Sequence, residues 1–446
     1  MAKIVVTRVE KTVMLPLVRP GRWYWAIVGV LAAIVVWAAY AYTVQLQEGL
    51  VVTAMRDRIS WGLYVSTFVF FIGISHAGTL VSAILRVTHA EWRTAITRLA
   101  EAITVFALII GASMVIIDLG RPDRLQFIVQ FGRIESPILW DFISISFYLT
   151  GSLLYLYLPL IPDLATLRDK MPARARFRRW LYTRLAARWQ GLPEQRRRLE
   201  RALGVMAILI IPVAVSVHTV VSWIFGMTLR VGWHSTILGP YFVVGAIFSG
   251  IATLIIVMAA VRKLFHLEGI IKPIHFRNLG LMLLALDIVL LYFTLSEYLT
   301  ASYPGETQDV AWLTLLGSGQ FAPMFWWMVI GGFIVPAVFV AVTKAKSVPA
   351  VVIAAILVNI GMWIERYLIV VPTMATPQTP SVIAPYWPSW VEWSILAGAV
   401  AAFGLLLLAF CRFFPVISMW EVAEKAPTPL SEPSPIPEPP TAEVVD

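Results

Sequence analysis

The chain has 446 residues, of which 59% are hydrophobic and only 14% are charged. Soluble domains carry about a quarter of their residues charged, so this composition excludes an ordinary soluble protein and indicates a membrane protein. The formal net charge is +9, but the 35 Lys and Arg are distributed over several loops, which argues against a nucleic-acid partner.

Ten long apolar stretches follow one another along the chain. A helix needs roughly 20 apolar residues to cross a bilayer core of about 30 Å. We therefore predict an all-α polytopic membrane protein of about ten transmembrane helices, arranged as two four-helix bundles plus peripheral helices. The predicted spans are 23–43, 60–86, 95–118, 140–160, 202–226, 239–261, 279–300, 323–342, 349–371 and 391–411.

Assigning alternate loops to opposite faces places 28 of the 35 basic residues on one face and 7 on the other. Basic loops favour the cytoplasmic side, so both termini are predicted to be cytoplasmic. The densest basic segment, within 161–201, has the character of an interfacial amphipathic segment on anionic lipid, an interpretation we favour over a specific docking site.

The spans divide the chain into segments that we expect to act as units. They are a cytoplasmic N-terminal segment (1–22), the first helix with an outer loop (23–59), the first half of one bundle (60–160), a basic cytoplasmic loop (161–201), the helix that completes this bundle (202–238), a second bundle (239–371), the last helix (372–415) and a disordered, Pro-rich acidic tail (416–446).

A weak internal repeat supports two related bundles. A shift of 177 residues aligns Gly62, Tyr64, Phe71, Gly73 and Ile74 with Gly239, Tyr241, Phe248, Gly250 and Ile251. At that shift His76 aligns with Thr253, so the second bundle lacks a histidine at the corresponding position.

Cysteine and histidine usage limits the cofactors that this chain can hold. Cys411 is the only cysteine, which excludes an iron–sulfur cluster ligated by this chain alone, an internal disulfide and a Cys-rich zinc site. Among the six histidines, only His76 and His89 have the spacing of stacked haem ligands, and His89 lies in a polar loop. We therefore predict no haem.

Ionisable side chains inside the spans are energetically costly and are therefore functional candidates. Asp118 and Asp141 are predicted near the outer interface, and Glu101 nearer the cytoplasm. The middle of the membrane is predicted to hold His76, His218 and Asp287.

Structural explanations compete with the functional one at three places. Asp118 can also be explained as a solvated helix end. Glu101 can be explained as a partner of Arg98 or of another basic residue at the cytoplasmic face. Glu365 and Arg366, which are adjacent opposite charges near a predicted helix end, are expected to reach water or partners.

Imidazoles and carboxylates near the outer end of a helix bundle suit quinol chemistry. A quinol that is oxidised loses two electrons and two protons, so each hydroxyl needs a proton acceptor in a largely apolar pocket. A proton-coupled transporter, with helix breaks at Pro212 and Pro336, would use similar residues. The chemistry alone leaves both interpretations open.

Several ordered motifs carry a resemblance to a known family. They are GISHAGTLVSAILRVTHAEWRTAITRLAEAITVFAL (73–108), DLGRPDR (118–124), SPILWD (136–141), YLPLIPDLATLRD (157–169), VSVHTVVSWIFG (215–226) and GWHSTILGPYFVVGAIFSG (232–250). Together they resemble the NrfD/PsrC family of membrane subunits from molybdopterin/iron–sulfur redox complexes. The resemblance is closest to ActC and ActF, the large membrane subunits of alternative complex III.

The resemblance implies a subunit of the bacterial inner membrane that binds no haem and no iron–sulfur cluster. It implies binding of a quinol or quinone, of menaquinone type, near the outer face, with electrons passing to an iron–sulfur protein subunit there. Other membrane subunits, including a paralogous NrfD-like one, and lipids are further expected partners. Proton translocation is an expected accompaniment, and we expect that only the first bundle works on quinone.

Carried over to this sequence, the resemblance implies a set of site residues. The predicted quinone-binding residues are His76, Asp118, Arg121, Trp140 and Asp141, and of these His76, Asp118 and Asp141 are the predicted catalytic groups. The predicted proton-path residues are Glu101, His218 and Asp287. The sequence departs from the pattern at Asp118, where the resemblance leads us to expect His before LGRP. A structural anchor that binds no quinone is therefore a further open alternative.

Overall fold

A computed structural model describes residues 21–170, 175–377 and 386–424. Within these ranges the chain is helical, with a single isolated β-bridge between Arg56 and Ile59. Ten of the described helices are long and apolar enough to cross a membrane. The prediction of an all-α polytopic membrane protein is confirmed.

We number only the ten long helices. They are α1 (Arg22–Glu48), α2 (Leu63–Val87), α3 (Thr97–Asp118), α4 (Pro137–Tyr157), α5 (Pro193–Gly226), α6 (Leu238–Leu264), α7 (Pro273–Ser302), α8 (Ala322–Val342), α9 (Val348–Ala375) and α10 (Trp390–Phe413). We call the end of the molecule that carries the loops 88–96, 158–192, 265–272 and 343–347 the basic face, and the other end the opposite face.

The predicted basic loop 161–201 is mostly helical. After α4, a 3₁₀ turn at Leu158–Leu160 leads into helix Ile161–Lys170, helix Arg176–Leu185 follows, and α5 begins at Pro193 instead of 202. Hydropathy detects only the apolar part of a helix, whereas Glu, Gln, Arg and Leu also favour helix in water. Proline at the first position suits the start of α5 because its missing N–H would be unpaired there anyway.

Helices α2 to α5 form the first four-helix bundle. α2 packs on α3 and α5, and α4 closes the ring by packing on α3 and α5. The contact between α2 and α3 is the most extensive between described helices, and glycine makes it possible. A Cβ on Gly78 would collide with the carbonyl oxygen of Ala100 and with the hydroxyl of Thr104.

Helices α6 to α9 form the second bundle in the same way, with α6 against α7 and α9, and α8 against α7 and α9. α8 contains a π-helical segment, Met328–Ile334, just before Pro336. Proline lacks the N–H that would bond back into the preceding turn, which explains why the helix widens there. The α8–α9 contact is a glycine pair: a Cβ on Gly332 would lie 2.7 Å from the Cα of Gly361.

The two bundles meet along α2 and α6, the helices that the internal repeat aligns. α2 packs on α6 and α9, and α5 also packs on α6. A Cβ on Gly73 would lie 3.6 Å from the Cα of Ala246 in α6. Helices α1 and α10 pack on each other outside the bundles, and α10 also contacts α3.

Residues 416–421, which the predicted division assigns to the disordered tail, are instead packed in the structure. Ile417 is 1% exposed and Met419–Glu424 is helical. These residues are held by Asp163, which accepts hydrogen bonds at 3.1 Å from the backbone N–H groups of Met419 and Trp420. The remaining tail, residues 425–446, and residues 1–20 lie outside the described part of the chain.

Candidate functional site

Two histidines meet at the centre of the first bundle. His76 on α2 and His218 on α5 are both fully buried, and their ring centroids are 4.5 Å apart. The His76 Nδ1 lies 2.7 Å from the Ile72 carbonyl oxygen, and its Nε2 lies 2.6 Å from the Ala214 carbonyl oxygen. Among the described residues, neither ring nitrogen of His218 has a hydrogen-bond partner. A neutral imidazole has one N–H, so His76 can donate to only one of these two carbonyl oxygens unless it takes up a second proton.

A row of side chains links this histidine pair to the second bundle. Tyr148 on α4 lies 5.2 Å from His76, and Phe242 on α6 lies 5.8 Å from His218, measured between ring centroids. The guanidinium carbon of Arg366 on α9 lies 4.6 Å from the Phe242 centroid, which is a cation–π distance. The row crosses the junction between the bundles.

Arg366 and its neighbour Glu365 are buried, which corrects the expectation that they reach water. Their side chains are 2% exposed, and the Arg366 Nε lies 3.2 Å from a Glu365 carboxylate oxygen. α9 continues to Ala375, past its predicted end at 371, and packs on both α2 and α6, so this pair lies inside the protein. Gly245 leaves space for the guanidinium, because a Cβ there would lie 2.5 Å from the Arg366 Nη2.

One face of α4 presents a polar stripe of four buried residues to the first bundle: Asp141, Tyr148, Ser152 and Tyr155. Their spacing is that of side chains on one helical face. The Tyr148 hydroxyl donates to the Ser75 carbonyl oxygen at 3.1 Å, whereas the Ser152 hydroxyl has no partner among the described residues. The stripe therefore runs from the opposite face towards the basic face.

Glu101 lies at the basic end of this stripe. It is 2% exposed and accepts a hydrogen bond from the Ser82 hydroxyl at 2.8 Å, and Ser82 also lies 3.4 Å from the Tyr155 hydroxyl. Arg98, the basic residue named as a partner for Glu101, does not pair with it. Arg98 instead pairs with Asp163 at 2.5 Å, because the end of α4 and the helix that follows bring Asp163 to it.

Asp118 is the last residue of α3, at the opposite face. Its Oδ1 is buried and has no hydrogen-bond partner in the described part of the chain. The C-terminal end of a helix carries partial negative charge, so the helix gives this carboxylate no support. Glu392 on α10 is a second acid close enough to act on Asp118 electrostatically. Arg121 does not neutralise Asp118, because its guanidinium pairs with the exposed Asp123 at 3.0 Å.

Asp141, in the first turns of α4, also has a buried carboxylate oxygen that lacks a hydrogen-bond partner. It is 8% exposed, and its Oδ1 is buried without a partner from the described residues. Beside it, Trp140 is half-buried and donates its indole N–H to the Ile134 carbonyl oxygen. Within the described ranges, no hydrogen bond joins Asp141 to Asp118, or either carboxylate to His76. The predicted site residues thus separate into two carboxylates at the opposite face and a histidine pair in the centre.

Asp287 does not join the other predicted proton-path residues. It lies on α7 in the second bundle, is 1% exposed, and has an Oδ1 without a hydrogen-bond partner from the described residues. The long helices on which α7 packs extensively are α6, α8 and α9. Glu101 and His218, by contrast, belong to the first bundle.

Sequence reasoning missed the hydroxyl groups of the first bundle and the acid Glu392. Tyr148, Ser152 and Tyr155 recur at helical spacing on α4 and could have been found from that period. Glu392 is fully buried and accepts hydrogen bonds from the backbone N–H of Ala54 at 2.7 Å and from the Tyr386 hydroxyl. Burial and the adjacent Glu392 raise the pKa of the Tyr386 hydroxyl. No sequence pattern indicated these contacts.

Comparison with known proteins places this architecture in a family. Residues 51–378 match the family model described as polysulphide reductase, NrfD. The chain belongs to the NrfD family. In this NrfD-family chain the matched region includes α2 to α9, and thus both bundles and the histidine pair, whereas α1 and α10 lie outside it.

Three relatives match over most of their length. A putative dimethyl sulfoxide reductase membrane subunit of Halobacterium salinarum is 27% identical, covering 87% of this chain and 90% of the relative. An Hdr-like menaquinol oxidoreductase integral membrane subunit of Archaeoglobus fulgidus is 24% identical, with 90% and 95% covered. A menaquinone reductase integral membrane subunit of Nitratidesulfovibrio vulgaris is 24% identical, with 85% and 88% covered.

Proposed function

We propose that this chain is the quinone-interacting membrane subunit of an oxidoreductase complex, oxidising a menaquinol-type quinol near the opposite face. Two relatives with nearly full-length matches are named for menaquinol or menaquinone chemistry. The observation that carries the proposal is that two carboxylates at that face, Asp118 and Asp141, each have a buried Oδ1 with no hydrogen-bond partner among the described residues. A buried carboxylate oxygen without a partner is costly unless a ligand or water completes it.

Quinol oxidation releases two protons and two electrons, and this chain has side chains that can accept the protons. Asp141 and Asp118 are the proposed proton acceptors, with His76 as the first group deeper in the bundle. The chain has one cysteine, the buried Cys411, so the electrons must leave to clusters on another subunit. We place an iron–sulfur partner on the loop between α3 and α4, where Phe131 and Ile134 are 74% and 77% exposed.

The orientation follows from charge. The basic face is assigned to the cytoplasm because Lys and Arg accumulate in cytoplasmic loops. Both termini are then cytoplasmic and the quinol site lies towards the outer face of the bacterial inner membrane. Further membrane subunits, including an NrfD-like paralogue, would complete the assembly.

A proton path through the first bundle is part of the proposal. From Asp141 it would follow the α4 stripe past Tyr148 and the histidine pair to Glu101 near the basic face. Asp141 and Tyr148 are seven positions apart, roughly 10 Å along the helix, so ordered water would have to bridge the gaps. Asp287 is left out of this path because it belongs to the second bundle.

The secondary-transporter alternative loses its structural support. The substrate site of such a transporter is typically formed by broken helices. α5 is continuous across Pro212, and α8 remains helical across Pro336 apart from its π-helical segment. The structural anchor remains as the alternative to test.

The test is quinol turnover of the assembled complex with Asp141→Asn and His76→Ala. Loss of a general base typically costs about 10²–10⁴-fold in rate, so each variant should lower turnover by that order while the complex still assembles. Glu306→Gln, which changes an exposed acid of the same face next to the second bundle, is the control. Near-normal turnover in both site variants, together with no binding of a quinone analogue by the wild-type complex, would favour the anchor.

The prediction that this chain binds no redox group has its own test. The purified protein should show no visible absorption of its own, because it lacks cluster ligands and both nitrogens of His76 face carbonyl oxygens. A stoichiometric b-type haem spectrum from the isolated chain would contradict this expectation.

A further inference from the structure

An apolar crevice opens at the basic face, far from the proposed quinol site. It lies between the start of α1, the end of α6 and the start of α9, with a volume of about 870 Å³. Its walls include Ile27 of α1, Ile256 and Leu264 of α6, and Val352 of α9. This volume is in the range of sites that enclose a small molecule or a long apolar chain.

The polar side chains that line the crevice include a lysine, a histidine and a tyrosine. Lys263 and His266 line it, and no Asp or Glu among the described residues does. Lys263 is exposed and makes no ion pair within the described part of the chain. Tyr24 also lines the crevice, but its hydroxyl donates to the Leu408 carbonyl oxygen at 3.2 Å. Trp23, 67% exposed, has the amphipathic side chain favoured at the membrane–water interface.

We propose that this crevice binds one anionic phospholipid from the leaflet at the basic face. Its acyl chain would lie against Ile27 and Ile256, and its phosphate would lie near Lys263 and His266. A neutral quinone head needs hydrogen-bond partners for two oxygens, whereas the exposed ammonium group of Lys263 complements the charge of a phosphodiester. α1 packs mainly on α10 and reaches the end of α6 through the Tyr24 and Phe265 rings, 6.4 Å apart. The lipid would fill the space between α1 and the second bundle.

The proposal is tested on the full chain reconstituted in phosphatidylcholine vesicles doped with phosphatidylglycerol. After extraction in mild detergent, native mass spectrometry counts the phospholipids retained. We expect one phosphatidylglycerol on the wild-type chain. Lys263→Gln should weaken its retention about fivefold, because one lysine near an anionic surface contributes attraction of that order. Ala260→Trp should remove it by filling the crevice.

Two control variants make the same kinds of substitution at positions outside the crevice. Lys346→Gln removes an exposed lysine from another loop of the basic face, and Ala341→Trp adds the same bulk to an exposed position on α8. Both should retain the lipid as the wild type does.

Three results would overturn the proposal. One is equal retention of phosphatidylcholine from undoped vesicles, which would mean that the crevice does not recognise charge. Another is loss of a co-purified quinone, rather than a phospholipid, in Ala260→Trp with no effect of Lys263→Gln. The third is a wild-type chain that retains no phospholipid, which would leave the crevice to other occupants, such as the residues before Gly21.

Discussion

The buried charges of this protein fall into two groups that differ in how completely they are paired. Arg98 is 2% exposed and has acceptors in the Asp163 carboxylate, the Ser418 hydroxyl and three backbone carbonyl groups. Asp118, Asp141 and Asp287 each keep a buried oxygen without a partner from the described residues. The contacts of Arg98 hold parts of the fold together. An unpaired buried carboxylate instead indicates a site that a ligand or an ordered water completes.

Removing Arg98 should therefore destabilise the protein strongly. Arg98→Ala leaves Asp163 as a buried charge without its partner, and breaking a buried pair of this kind typically costs about 3–5 kcal/mol. The measurement is the unfolding midpoint of the purified chain in detergent. Arg121→Ala, which breaks the exposed pair with Asp123, should leave the midpoint unchanged. Equal midpoints for the two variants would show that the Arg98 contacts contribute little.

The buried ionisable side chains could be found in the sequence more easily than their contact partners. Glu101, His76 and His218 stand out because charges inside an apolar span are rare. The partner of Arg98 could not be found in this way, since Asp163 lies 65 positions away and meets it only because α4 continues into the next helix. Helix packing decides such contacts, and hydropathy contains no information about it.

At the scale of helices, hydropathy predicted all ten spans, and most of their ends lie within a few residues of the observed ones. It failed where helices leave the membrane, as at the start of α5, because the extension is polar. The positions of glycines also indicate where the backbones of two helices can approach each other closely. The pair Gly332 and Gly361 lets α8 and α9 touch along their backbones, and only a structure shows which glycines meet.

Gly361→Ala should separate α8 from α9. The added methyl group would lie 2.5 Å from the Gly332 Cα, and extra bulk in a packed interior typically costs about 1–3 kcal/mol. Gly29→Ala is the matched control, because a Cβ on this α1 glycine has no atom of the described residues within 4 Å. Thermal unfolding in detergent should show a lower midpoint for Gly361→Ala alone. If both variants have the same unfolding midpoint as the wild type, the backbones of α8 and α9 are not in tight contact.

For the whole molecule, the distribution of polar groups across the membrane distinguishes the two bundles. The first has buried acids, hydroxyls and imidazoles at several depths on α2 to α5. In the second, the position that the repeat aligns with His76 holds Thr253, which donates to the Asn359 side chain at 3.2 Å. Neutral side chains of this kind do not hold a proton at pH 7. The second bundle has buried acids of its own, Asp287 and Glu365, but no histidine at the position aligned with His76, and the proposed path is therefore placed in the first bundle.

Glu101→Gln tests that path in the assembled complex. Glutamine keeps the size of the side chain and an acceptor for the Ser82 hydroxyl, but it cannot take up a proton. With the complex reconstituted in vesicles, we expect quinol oxidation to continue and the protons translocated per electron to fall. Glu268→Gln, in an exposed loop of the basic face, should change neither quantity. Unchanged translocation in Glu101→Gln would make Glu101 a structural charge. Loss of quinol oxidation itself would instead couple Glu101 to the chemistry at Asp141, because a relay that only supplies a pathway should leave the oxidation step intact.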